Sequence, residues 1–164
     1  MSDDGDTPGI VAARGAGIPF DVMRTQRARS AEESAELQGI ALGQLLRTIV
    51  VRRGAEDYVF VLVPGGRRID WAKLRAHLGI RRISLPDKDE AFEATGYERG
   101  AITPFGSSHA WPVIADAAIG ASGDPVAIGG GAHGVNLHVA AADLVRATDA
   151  TVIDVTEPEP DGER

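Results

Sequence analysis

Two apolar runs lie almost end to end in the chain: LLRTIVVR at residues 45–52 and DYVFVLVP at 57–64. Both are rich in β-branched and aromatic residues, which suit a pleated, half-buried surface. Only RGAE separates them, and it contains a glycine, so the pair reads as a β-hairpin. Further short strands are expected in IPFDVM, RRISL, WPVIAD, PVAIGGG, VNLHVAA and TVIDV. Helices are expected where capping residues precede polar–apolar periodic stretches. Thr7 and Pro8 start one, Ser30 and Glu33 form a capping box for a second that Gly39 stops, and Asp70 caps a third that closes at Gly79. Asp87 and Glu90 are a second capping-box pair, and a last helix begins near Ala141. The strands cluster instead of alternating regularly with helices, which gives an α+β class with a mixed sheet.

A length of 164 residues with 43% apolar content is one domain with a proper core. Residues 7–155 are expected to form it. Residues 1–6 and 156–164 are acidic and lack apolar anchors, so both are expected to be disordered. There is no cysteine, which excludes disulfides, thiolate zinc sites and a protein thiol nucleophile. No run of 18 apolar residues suggests a membrane span. The start MSDDGDTPGI is acidic where a secretory signal would be basic, and a cytoplasmic protein is expected. The formal net charge is −7, but it is unevenly spread: from Val11 to Arg82 there are 13 Lys/Arg against 7 Asp/Glu, and from Ile83 onward 4 against 14. A basic half suits a phosphate-bearing partner, and scattered solvated arginines account for it equally well.

Four stretches could carry chemistry. GAITPFG, Gly100 to Gly106, brackets a proline with glycines and follows Gly96-Tyr97. Glycine permits close backbone approach and proline stiffens the loop, so its N–H groups could be aimed at an oxyanion. A plain turn has the same spacing. Arg47 sits inside an apolar strand, where alternation puts Leu45, Arg47 and Ile49 on one face and Leu46, Thr48 and Val50 on the other. Its charge could line a pocket or stand at a solvated edge. IGGGAHGVNLH, 128–138, has three glycines after a strand but no P-loop lysine, and His133 and His138 have no evident third ligand for a metal. Asp116 and Asp143 remain unplaced. SSHAW, 107–111, has no nucleophile-elbow pattern.

The order of these motifs resembles the YbaK/ProX family, free-standing relatives of the editing domain inserted in bacterial prolyl-tRNA synthetases. TPGIVAARGAGIPFDV is similar to the family's opening helix and strand, and SAEESAELQGI to its next helix. VFVLVPGGRRIDWAKLRAHLGI is similar to its later strand and helix, and IGGGAHGVNLHVAAADLV to its late strand pair. TGYERGAITPFG resembles its Gly-Tyr, then Gly-x-x-x-Pro-Phe-Gly pattern most specifically. The resemblance covers about Thr7 to Val155. It implies a curled mixed sheet, a partial barrel, with helices around it. It implies hydrolysis of mischarged aminoacyl-tRNA, often tRNA for proline carrying cysteine or alanine, without metal or organic cofactor. tRNA is the implied partner, with prolyl-tRNA synthetase as a second one. The resemblance assigns catalytic roles to Arg47 and Gly106. It makes Thr48, Tyr97, Gly100, Ala101, Ile102, Thr103, Pro104, Phe105, Gly131 and His133 the walls of the aminoacyl pocket.

LLRTIVV departs from the family's Lys-Thr-Leu strand, because the functional lysine falls at Arg47. Arginine keeps the charge but cannot serve as a base. Two functions stay open on the residues. One is an aminoacyl-ester deacylase, which needs only to orient an activated ester, stabilise the oxyanion near Gly106 and admit water. The other is a non-catalytic module that binds tRNA or a nucleotide through Arg47.

Overall fold

The computed structural model describes residues 5–160. The hairpin is its centre. Strand β2 (Leu46–Gly54) pairs antiparallel with β3 (Asp57–Pro64) across a turn of only Ala55 and Glu56, tighter than RGAE suggested. Glu56 takes φ 54°, the left-handed conformation such a turn requires. β3 also pairs in parallel with β5 (Val113–Asp116), and β5 with β8 (Thr151–Ile153), so the sheet is mixed, with order β2-β3-β5-β8. A second sheet, β1-β7-β6, is built from β1 (Asp21–Arg24), β7 (Val135–Val139) and β6 (Val126–Gly129). A parallel bridge from Leu45 to Ala127 joins the two sheets at the start of β2. The result is a curled α+β assembly that does not close into a barrel.

β3 is buried on both faces, and its alternation divides the core in two. Phe60 and Leu62 join Leu46 and Val50 in a cluster with Ile10, Phe105, Ile128, Leu137 and Leu144. Val59, Val61 and Val63 join Val51 in a cluster with Ile69, Leu74, Ile114 and Val155. Each such side chain stabilises the fold by about 1.5–3 kcal/mol relative to exposure. That is why a strand with almost no polar residue sits in the middle of the sheet.

The helices start where their caps predict. Thr7 caps α1 (Pro8–Gly15) by accepting from the Ile10 N–H at 3.1 Å. Ser30 caps α2 (Ala31–Gln38), and Gly39 ends it at φ 72°. The return leg of the Ser30 box goes instead to the N–H of Arg29, which donates to Glu33 Oε1 at 2.6 Å. Asp70 caps α3 (Trp71–Leu78) and Asp87 caps α4 (Lys88–Thr95). Glu90 accepts from the Tyr58 hydroxyl instead of returning to its cap, and burial together with that carboxylate pushes the Tyr58 pKa up to about 12. α5 (Ala141–Thr148) completes the set.

Two expectations about the chain's course are corrected. RRISL forms no strand and, among the described residues, makes only a single bridge, Ser84 with Arg52. The acidic tail does not begin at 156. Thr156–Pro158 form β9, paired with β4 (Arg67–Ile69), and Thr156 is fully buried. The Thr156 hydroxyl accepts from Arg67 Nε at 2.7 Å, and its carbonyl accepts from Lys73 Nζ at 3.0 Å. Basic partners therefore hold a segment that composition alone assigns to solvent. The rest of the expected tail, 161–164, and residues 1–4 of the expected N-terminal one lie outside the described residues.

Candidate functional site

A cleft of about 450 Å3 lies between the two sheets. Its walls are the edge of β2, the segment entering α2, the first part of the glycine–proline loop, and the turn between β6 and β7. Arg27, Arg29, Arg47 and His133 border it, and no carboxylate does. Arg27 makes no ion pair among the described residues. Arg29 holds Glu33 only loosely, at 3.4 Å, with 90% of its side chain exposed. The N-terminus of α2 adds its partial positive charge at Ser30 and Ala31. The cleft is thus arranged for an anionic ligand.

β2 presents two different residues here. Thr48 lies opposite Leu62 and faces the layer of Ile102 and Phe105. Its Oγ1 is buried and has no hydrogen-bond partner. Leaving a buried hydroxyl unsatisfied costs about 1–3 kcal/mol, so an orphan on a cleft wall marks a place for a ligand atom. Arg47 lies opposite Val63, on the other face. Its Nη2 donates to the Arg67 carbonyl at 2.8 Å and lies 4.0 Å from the Glu159 carboxylate. Arg47 reaches the cleft only at the strand's edge. Arg47 lines the cleft, with its guanidinium engaged by the Arg67 carbonyl and the Glu159 carboxylate.

The glycine–proline loop divides in the middle. Gly100, Ala101 and Ile102 line the cleft. Gly100 has φ 94°, and a Cβ there would stand 2.9 Å from His133 Cε1, so only glycine lets the histidine close this wall. His133 Nε2 is 3.5 Å from Glu98 Oε1. Ala101 N–H donates to the Glu98 carbonyl, and the N–H groups of Gly100 and Ile102 have no protein acceptor among the described residues. From Thr103 onward the loop turns inward. Thr103 and Phe105 are buried, Pro104 is half-buried, and Phe105 N–H donates to Thr103 Oγ1 at 3.3 Å. Tyr97 is buried and donates its hydroxyl to the Phe105 carbonyl at 2.7 Å, and burial raises its pKa.

Gly106 has φ 77°, and a Cβ on it would meet the Pro8 carbonyl oxygen at 2.6 Å and the Tyr97 hydroxyl at 2.7 Å. Its place is against the start of α1, away from the cleft. Gly131 packs there too, against Gly9 and Tyr97, while the Thr7 hydroxyl donates to the Gly130 carbonyl. The structure therefore brings Thr48, Gly100, Ala101, Ile102 and His133 together. Tyr97, Thr103, Pro104, Phe105, Gly106 and Gly131 stand outside the cleft lining, with Gly106 and Gly131 against the start of α1.

The remaining candidates are structural. His138 Nε2 pairs with Gln38 Oε1 at 2.8 Å and ties β7 to α2. Burial lowers its pKa and the Asp21 carboxylate partly offsets this. Asp116 is buried and accepts from the N–H groups of Val155 and Ala118 at 3.0 and 2.9 Å. Among the described residues, no group of three His, Cys, Asp or Glu side chains could hold a metal ion, and no helix is long and apolar enough to cross a membrane. The sequence reading missed Arg27 and Arg29. The signal was available in RTQRARS, where three arginines precede the Ser30 helix cap.

Fold and cleft together define an α+β domain with a cleft between two sheets that basic side chains border. The chain belongs to the aminoacyl-tRNA editing domain family, whose profile matches residues 25–147. It is 29% identical over 99 residues to a proline–tRNA ligase of Thermosipho melanesiensis, covering 60% of this chain and 17% of the ligase. The chain thus spans about a sixth of the ligases it matches. It is 26% identical over 131 residues to a protein of Enterococcus faecalis that carries the name Cys-tRNA(Pro)/Cys-tRNA(Cys) deacylase EbsC, covering 79% of each. The solved structure of hypothetical protein APE2540 superposes with TM-score 0.79 at 28% identity, covering 88% of this chain and 95% of the other. One described as a trans-editing enzyme for prolyl tRNA synthetase superposes with TM-score 0.80 at 23% identity, covering 93% and 99%, and shares the fold.

Proposed function

We propose that this chain hydrolyses the ester of a mischarged aminoacyl-tRNA, with tRNA for proline carrying alanine or cysteine as its substrate. The observation that carries this reading is the cleft that borders Arg27, Arg29 and His133 and no carboxylate, with one orphaned hydroxyl on its wall. Its volume of about 450 Å3 lies in the range that encloses a small ligand, and suits an amino acid on a terminal ribose. The family membership and the names of the relatives support the same substrate class.

The ester is already activated, so the chain needs no strong nucleophile. Water adds to the ester carbon and the carbonyl oxygen becomes an oxyanion. The N–H groups of Gly100 and Ile102, which no acceptor among the described residues engages, are the donors assigned to it. The carbon–oxygen bond to the ribose then breaks, the ribose hydroxyl takes a proton, and the free amino acid leaves. Thr48 Oγ1 holds the aminoacyl group in register, and Arg27 and Arg29 meet the phosphates. Editing in a second pocket is needed because one methylene discriminates by only about 10- to 200-fold in binding.

The test is single-turnover hydrolysis of a panel of aminoacyl-tRNAs. Alanyl- and cysteinyl-tRNA(Pro) should lose their amino acid well above the spontaneous rate while prolyl-tRNA(Pro) is spared. Binding without hydrolysis of any member would leave the non-catalytic module in its place.

A further inference from the structure

The cleft continues into a second groove of about 370 Å3, and the two share Arg27 and His133. The far wall of this groove is the outer face of α4, with Lys88, Asp89 and Phe92, and the turn carrying Glu98 and Arg99. Phe92 is 51% exposed. Its helix turns Ala91, Ala94 and Thr95 to the interior, which leaves the phenyl ring on the flank of the helix, about half of it open to solvent.

The charges around the ring are not neutralised. Arg27, Lys88 and Arg99 have no ion-pair or hydrogen-bond partner among the described residues, whereas Glu98 is directed at His133. Asp89 lies in the first turn of α4, where the helix N-terminus stabilises it. A lone exposed ring flanked by unpaired cations is poorly suited to a protein partner, which would need a broader apolar patch. It matches what single-stranded nucleic acid asks for: an aromatic face for a base and cations for the backbone.

We propose that this groove receives the unpaired 3′ end of the RNA, with one base stacked on Phe92 and the adjoining phosphates held by Arg27, Lys88 and Arg99. The inference rests on the deacylase reading for its choice of RNA. With the aminoacyl group against Thr48, the nucleotides before the terminal ribose must leave the cleft by one mouth. The mouth that continues past Arg27 and His133 carries the ring and the cations. Stacking of this kind tolerates any base, so the groove serves every acceptor end alike.

The test measures binding of an uncharged acceptor-stem RNA hairpin by fluorescence anisotropy, with and without its unpaired 3′ nucleotides. The wild-type chain should bind the complete hairpin more tightly than the shortened one. Phe92→Ala should weaken the complete hairpin about tenfold and the shortened one little, and Phe92→Trp should restore binding. Arg99→Gln should reduce the dependence of log affinity on log salt by about 0.7. The groove is overturned if Phe92→Ala binds the complete hairpin as tightly as wild type, if the loss is equal on the shortened hairpin, or if wild type binds neither. A wild-type chain that hydrolyses no aminoacyl-tRNA would remove the deacylase reading, and these binding arms would still decide the groove.

Discussion

Arg47 and Thr48 share a peptide bond and face opposite layers of the molecule. Arg47 is 41% exposed in its side chain, and its guanidinium is occupied by the Arg67 carbonyl and the nearby Glu159 carboxylate. Thr48 has no charge, and its hydroxyl is buried with no partner among the described residues. The residue with the conspicuous chemistry is satisfied, and the modest one beside it is not. In a half-buried strand such as β2, a buried group left unsatisfied is a better pointer to a site than a group with a larger charge that is already paired.

The sharpest way to break this comparison is Thr48→Val, which keeps the shape and removes the hydroxyl. Single-turnover hydrolysis should fall about ten- to a hundredfold, the worth of one positioned hydrogen bond of 1.5–3 kcal/mol in the transition state. The thermal midpoint should hold or rise, since an unsatisfied buried oxygen is gone, and Thr48→Ser should keep most of the activity. Equal rates for Thr48→Val and wild type would make the hydroxyl irrelevant.

A smaller effect is expected from Arg47→Ala. A half-exposed ion pair and one hydrogen bond contribute about 1 kcal/mol or less, a drop of about 2–4 °C in Tm. Hydrolysis should stay within about threefold of wild type. Loss of hydrolysis with an unchanged melt would show that the guanidinium turns into the cleft when RNA binds, and the two residues would then act together.

The smallest effect concerns α2, which borders the cleft and is tied to β7 by His138 and Gln38. Burial lowers the His138 pKa below 6.5. The unfolded chain therefore takes up this proton first as pH falls. Stability contributed by the neutral ring is fully present above pH 6.5 and is lost as pH drops through 6.5 toward the folded value. Denaturant melts between pH 8 and 5 should show this slope, and His138→Asn should flatten it. An unchanged slope would place the titration elsewhere.

Much of the fold was legible because its signals are local. The hairpin, the caps at Thr7, Ser30, Asp70 and Asp87, and the stops at Gly39 and Gly79 all depend on residues within a few positions of one another. The site was legible in part. The loop was found, but which half faces the cleft depends on α1 lying over Gly106, a contact between residues 98 positions apart. Periodicity assigned Arg47 and Thr48 to different faces without saying which layer either face meets. β9 was missed because its acidic neighbours outweigh one threonine in composition, while its partners Arg67 and Lys73 are far back in the chain.

The pairing of β1 with β7 has a consequence for the order in which the molecule can be put together. Even the widest pair of the hairpin ladder, Leu46 and Pro64, is only 18 apart, whereas Asp21 and His138 are 117 apart. Closing the longer loop costs roughly 1.7 kcal/mol more chain entropy. The cleft takes its walls from segments spread between Thr25 and Asn136. A hairpin can exist before the rest of the protein does, but this cleft can exist only once the chain from Thr25 to Asn136 is in place.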